Sequence, residues 1–470
     1  MRWIRALLKA IALTLVGCIA LAVLLYLVVV LVNWNDRKPS PVAERMMQEY
    51  QSRPPVADAE NGYVYAMGFA AAPEQDPLQM GVLRVAWMKE IGERNARTNR
   101  LDADLSADPQ GNSYQVSRDP LIEAFRGACK PGGFGCVEAF AGGDEIYDLW
   151  IAANSELLSR YSELTTRRAW VELVPIDPAA PFPSYAQIMD GQRLLLLHAR
   201  RLAMQGDYDA ARRVLESDLQ FWRLVFESAD TLITKMIATV ALVRHFEHGN
   251  LILRGLDPRA AARVMPAEWR TPINENERSM RRCMVGEWVF TSGLSRSLIP
   301  VFRAEAAMGE GSPSRTAVAF LGGPLYQPQD SMNRYADYYS RVGELLDAPL
   351  ARYEEAGDAT RELAASTAKR AWPPGSLYNL LGSWIRSRGI SDVSNYGARV
   401  ADVEGVRRAA LAAVTLRAAK VETAGVADAL KASEWRNPYT GRPFEWSATD
   451  TAIRFQGLAA GERGVHLLYY

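Results

Sequence analysis

The run from Ala10 to Val32, AIALTLVGCIALAVLLYLVVVLV, contains no charged residue. Wound as an α-helix, its 23 residues extend about 35 Å, enough to cross a hydrocarbon core of ~30 Å. In lipid a segment must satisfy every backbone group internally, so a membrane-spanning helix is the first element expected. Trp3, Tyr26 and Trp34 stand near its ends, where amphipathic rings favour the headgroup level. A cleaved signal peptide is the alternative, but the run exceeds a typical signal h-region. The following NWNDRKPSP also offers no small-x-small cleavage site. No other stretch approaches 18 apolar residues, which makes a single-pass protein the expectation.

Charge sets the expected orientation. Arg2, Arg5 and Lys9 precede the span, whereas Asp36, Arg37 and Lys38 behind it net one positive charge. The expected topology has residues 1–9 in the cytoplasm, residues 10–32 among inner-membrane lipids, and the remainder in the periplasm of a Gram-negative cell. Lysine plus arginine and aspartate plus glutamate are equal at 54 each, so removing the three leading cations leaves 51 basic against 54 acidic residues. That balance argues against nucleic acid as a partner, because affinity for phosphate backbones needs clustered basic charge.

Outside the cytoplasm thiols tend to be oxidised, which bears on CKPGGFGC at residues 129–136. Pro131, Gly132, Gly133 and Gly135 allow a tight reversal, and a Cys129–Cys136 disulfide is the natural reading. Two free buried thiols are the alternative. A zinc site or a redox pair would want CxxC spacing, and no histidine lies nearby in sequence. Cys18 falls in the lipid-facing run and Cys283 reads as a core residue.

The fold class expected is all-α: the spanning helix, an irregular antiparallel multi-helix domain, and a small C-terminal β-hairpin. Residues 33–60 read as a linker containing a short helix over Val42 to Tyr50, residues 61–430 as the helical domain, and 431–470 as the appendage. Tyr185, Ile188, Met189, Gln192, Leu195, Leu196, Ala199 and Leu202 follow helical spacing, with Ser184 and Gln187 spaced for a capping box. Gly206 stops that helix and Asp207 caps the next, striped by Tyr208, Ala211, Leu215, Leu219, Trp222 and Phe226. A third helix is expected from about Asp230 to Leu253, and Asp257–Pro258 opens a fourth. AMQGDYDAARRVL is similar to the turn of a tetratricopeptide repeat, but no second copy recurs, so it predicts one helical hairpin. Further helices are expected over about 267–290, 329–370 and 399–432, and Phe444/Trp446 with Ile453/Phe455 alternate as a hairpin about SATDT.

Chemistry-bearing constellations are few. Ser366 to Lys369, STAK, matches the S-x-x-K of serine acyl-transferring enzymes, but SNY at Ser394 and YTG at Tyr439 do not supply the companion motifs. His245 and His248 lie three apart and could share a metal, with His198 and His466 the other histidines. No P-loop, dinucleotide fingerprint, GxSxG or HExxH occurs, so neither a catalytic residue nor a cofactor or metal is assigned. The twelve tryptophans are dispersed and read as core and interface anchors.

Three segments together resemble uncharacterised single-pass, envelope-facing helical proteins of Gram-negative bacteria. They are ENGYVYAMGF with the following DP, the cysteine pair ahead of LLSRYSEL, and GQRLLLLHARRLAMQGDYDAA. The resemblance implies this topology and a helical fold, and transfers no functional residue. NPYTGRPFEW also looks like a C-terminal element of other exported helical proteins. Read as a recognition loop it offers Asn437, Tyr439, Thr440, Gly441 and Phe444 for binding; read structurally, Phe444 and Trp446 pin the tail. The functional expectation is a membrane-anchored periplasmic scaffold or binding protein holding an envelope protein or peptide. A serine hydrolase using Ser366 and Lys369, and a periplasmic immunity or inhibitor protein, are the alternatives.

Overall fold

The computed structural model describes residues 2–98, 107–111, 113–130, 135–173, 180–309, 311–370 and 376–470. Helix α1 (Arg2–Val32) is continuous, and its Ala6–Val32 portion has no buried residue and is long and apolar enough to cross a membrane. It is the one such helix among the described residues.

A polar collar fastens the end of α1 to the rest of the chain. Asn33 is buried, donating from Nδ2 to the Leu377 carbonyl at 2.7 Å and accepting at Oδ1 from the Asn379 amide at 2.6 Å. The Gln327 side chain donates to the Asn33 carbonyl. Three residues on, Asp36 accepts from the amides of Gln329 at 2.7 Å and Asp330 at 3.0 Å. Those are orphan N–H groups in the first turn of a distant helix, so the chain leaving α1 caps that helix across space.

Local chemistry explains where most helices begin. A capping oxygen followed by proline starts α2 (Pro41–Gln51) at Ser40, α4 (Pro77–Thr98) at Asp76 and α5 (Pro120–Ala128) at Asp119. Between the first two, α3 (Gly62–Met67) crosses α4 so closely that a Cβ on Gly81 would lie 1.8 Å from the Val64 carbonyl oxygen. Beyond the disulfide come α6 (Cys136–Ala141) and α7 (Gly143–Leu164). The latter kinks at Asn154, whose side chain takes the Tyr114 hydroxyl and the Ser117 amide, both at 2.9 Å.

Antiparallel α8 (Tyr185–Met204), α9 (Tyr208–Ser228) and α10 (Leu232–Arg254) form the centre, with α11 (Pro258–Val264) opened by Asp257 as expected. Gly206, at φ 89°, ends α8, and Asp207 Oδ1 accepts from the Ala210 amide at 3.1 Å to start α9. Ser184 makes no side-chain cap, however. Gln187 instead donates to the Tyr114 carbonyl, so the expected capping box is absent.

The helix expected over 267–290 is broken. A 3₁₀ turn at Ala267–Arg270 drives Trp269 into the core, Pro272 interrupts, and Asn274 with Glu277 forms a capping box opening α12 (Glu275–Arg278). Helix α13 (Arg281–Met308) follows, then α14 (Pro313–Ala317), a π-turn at Val318–Gly322 and a 3₁₀ turn at Gly323–Leu325. The expected 329–370 helix divides at Pro349 into α15 (Pro328–Leu346) and α16 (Tyr353–Arg370), because a residue preceding proline is disfavoured in the helical region. After α17 (Leu380–Gly389), the third long expectation divides into α18 (Ser394–Ala418) and α19 (Val426–Ala432). Lys420 turns left-handed at φ 54° there and the Val421 amide returns to the Leu416 carbonyl at 3.2 Å.

The C-terminal hairpin is present as β1 (Glu445–Ser447) paired with β2 (Ala452–Gln456), and a third strand not expected, β3 (Val465–Tyr469), extends it antiparallel. The sheet lies against α10 and α18. Those two helices are buried on all faces, which is why neither shows a clean apolar stripe. Trp150, Trp170, Trp222, Trp269 and Trp288 are core residues, whereas Trp3, Trp34 and Trp384 are exposed. Helices α13 and α15 pair as an antiparallel hairpin, and α2 runs beside α15 from Ser40, near Asn333, to Glu49, at Arg281. The segment after α1 is thus packed into the body, with Ala43 and Met46 buried.

Candidate functional site

Helix α10 must bury polar groups on every face, and each needs a partner. Asp218 on α9, fully buried, accepts the Tyr161 hydroxyl at 2.6 Å on one oxygen and His245 Nδ1 at 2.8 Å on the other. Trp269 Nε1 donates to His245 Nε2 at 3.0 Å, so Nε2 holds the lone pair and Nδ1 carries the proton. An Asp–His pair acts as a base only when Nε2 can reach a substrate proton. Here the indole occupies that nitrogen, and the pair ties α9, α10 and the 3₁₀ turn together.

The cysteines of residues 129–136 form a disulfide, their Cα atoms 4.5 Å apart; the intervening turn at residues 131–134 lies outside the described residues. His248 faces this bridge, its Nε2 3.7 Å from Cys136 Sγ, and does not share a site with His245. Burial, reinforced by the charge of Arg244, holds His248 well below the ordinary histidine range. The Cys129, Cys136 and His248 donor atoms cluster within 4.8 Å, but sulfurs bonded to each other are not the thiolates a zinc site uses. Cys18 and Cys283 are free, exposed and buried respectively.

Ser366 donates to the Leu363 carbonyl of its own helix at 3.1 Å, and Lys369 is exposed. Among the described residues no hydrogen bond joins the two, so the geometry lends the serine–lysine pattern no activation.

The residues proposed for recognition near the C-terminus divide. Asn437 Oδ1 accepts from the Tyr439 amide at 2.9 Å and folds its own turn. Tyr439 donates its hydroxyl to Asp402 at 2.6 Å, and Phe444 is buried edge-on against Phe455. Thr440 and Gly441 are exposed at the tip. Asp402 also accepts from the amides of Leu458 at 2.8 Å and Ala459 at 3.0 Å, so this tail is clasped to α18.

An open concavity lies elsewhere, between α2, α13 and α15. Val42, Met46, Val285 and Tyr339 line its apolar part; Arg45, Glu49, Arg281, Glu344 and Asp347 bring charges of both signs to the rim of a cleft of about 370 Å³. Arg281 grips Glu49 through two bonds of 3.2 and 3.1 Å, closing one end. Burial raises the Tyr339 hydroxyl to about 12, leaving it a proton donor near neutrality. None of these residues was singled out from the sequence, because they come from three separated stretches. The one usable signal is Val42 and Met46, four apart on the short helix expected within the linker.

No protein-family model, no curated protein and no solved structure matches this chain.

Proposed function

We propose that the protein is a membrane-anchored, periplasm-facing helical scaffold that holds an extended protein or peptide segment in the cleft between α2, α13 and α15. The observation that carries this reading is the cleft itself: a volume of about 370 Å³ falls in the range of binding sites, and a mostly polar lining with charges of both signs beside Val42, Met46, Val285 and Tyr339 suits apolar side chains flanked by charged neighbours. Helix α2 follows the anchor directly, so a segment bound there is held at a set reach from the bilayer. Leading basic residues and the disulfide support export of the domain.

A photoreactive side chain at Arg45, in living cells, tests this. The expected result is a discrete protein adduct that disappears when Ser340→Trp fills the cleft and is absent when the probe sits at Thr440. An adduct indifferent to Ser340→Trp, or equal at both positions, would remove the reading.

A further inference from the structure

We propose that residues 316–325, between α13 and α15, form a second membrane contact that dips into the headgroup and acyl boundary beside α1, with a lipid bilayer as its partner. The proposal rests on α1 spanning that bilayer.

The first observation is depth. Tyr26 lies within the apolar span, six residues before Val32, and its hydroxyl donates to the Leu321 carbonyl at 3.0 Å. At 1.5 Å per residue that is about 9 Å inside the end of the helix. If α1 is in lipid, Leu321 is carried to the same level. The collar around Asn33 makes this a fixed relation, because Leu377, Asn379 and Gln327 all bond the residue that ends the helix.

The second observation is composition and exposure. Thr316 to Gln329 contains no charged residue, between Arg315 and Asp330. Within it Phe320 and Leu321 are 58 % and 61 % exposed, in a chain whose other large apolar side chains are mostly interior. Two further exposed groups come from the segment that meets the collar: Leu377, and Trp384 on α17, whose ring lies under the Arg388 guanidinium at 4.5 Å. Arg303, exposed near the end of α13, reaches the same turn at the Ala319 carbonyl, 3.5 Å away. Apolar tips with an aromatic ring and arginines behind them are the order of groups met on leaving a bilayer core.

The third observation is backbone. The turn is π-helical then 3₁₀, leaving few carbonyls to expose, and Arg303 and Tyr26 take two of them, Ala319 and Leu321. Irregular backbone at membrane depth is tolerated where protein groups satisfy it.

The test uses the full chain in phospholipid vesicles containing a photoactivatable acyl chain, followed by tryptic mapping. Cleavage after Arg315 and Arg334 releases residues 316–334 as one peptide. Lipid adducts on this peptide and on α1 are the expected result. Adducts on α1 alone overturn the proposal and leave the anchor standing; none on either overturns the span, and the proposal with it. A nitroxide at Leu321→Cys, in a chain also carrying Cys18→Ala and Cys283→Ala, gives an independent reading. Its ratio of oxygen to aqueous-nickel collision should exceed that of a label at Thr440 several-fold and approach that of a label at Leu13. A ratio equal to the Thr440 label sinks the proposal.

Discussion

Single side chains carry two of the sharpest tests. Replacing Trp269 by phenylalanine keeps most of the buried ring but leaves His245 Nε2 a buried acceptor without its donor. A loss of about 1–3 kcal/mol in urea unfolding is expected, and a change below ~0.5 kcal/mol would show that the Asp218 network does not hold these elements together. Glu172 tests electrostatics. It lies buried, accepting from the Asp230 amide at 3.1 Å, while the Asp230 carboxylate takes Arg53 at 2.7 Å and Arg282 at 2.6 Å. Burial first, and the neighbouring Asp230 charge second, lift the Glu172 carboxyl from 4.5 to about 7. The native state therefore keeps a proton that the unfolded chain releases, so this contribution is full below about pH 4.5 and is lost as pH rises through about 7. Glu172→Gln should match the parent near pH 4.5 and be the more stable at pH 8; urea midpoints at the two pH values decide it. None of this was legible beforehand: His245 and His248 stand three apart, yet their rings enter different surroundings because α10 is enclosed on all sides.

Among the elements, local signals foretold starts better than lengths. Asp207 after Gly206, and Asp257 before Pro258, cap where expected, since a cap depends on residues within one turn. The long helices expected at 267–290, 329–370 and 399–432 each broke where a proline, a left-handed residue or a buried tryptophan outweighed helical propensity. The α3–α4 crossing offers a contrast between two glycines. Gly81→Ala would place a Cβ 1.8 Å from backbone and should cost more than ~3 kcal/mol, whereas Gly127→Ala in α5 meets nothing within 4 Å and should be neutral or gain up to about 1 kcal/mol. Similar thermal midpoints for the two would refute the close crossing. Removing the disulfide by Cys129→Ser with Cys136→Ser should cost about 2.5 kcal/mol in the chain-entropy model, read as a difference in unfolding free energy.

For the whole molecule, the proposed anchor predicts a protein that resists alkaline carbonate extraction, and the proposed orientation predicts an alkaline phosphatase fused after Tyr470 to be active. An active cytoplasmic reporter in its place would reverse the topology and undercut the cleft as a periplasmic site. By itself the sequence determined a helix long and apolar enough to span a membrane, the all-helical class, the cysteine pair and the antiparallel end of the chain. All four depend on hydrophobic run length, local periodicity or short-range turn chemistry, which act between near neighbours. Only the tertiary structure decided that residues 33–51 belong to the body, that Asp36 caps α15, that Leu321 meets Tyr26, and that three distant stretches enclose one cleft. Those relations join residues up to some three hundred positions apart, and only the packing of distant elements brings their hydrogen-bonding groups together.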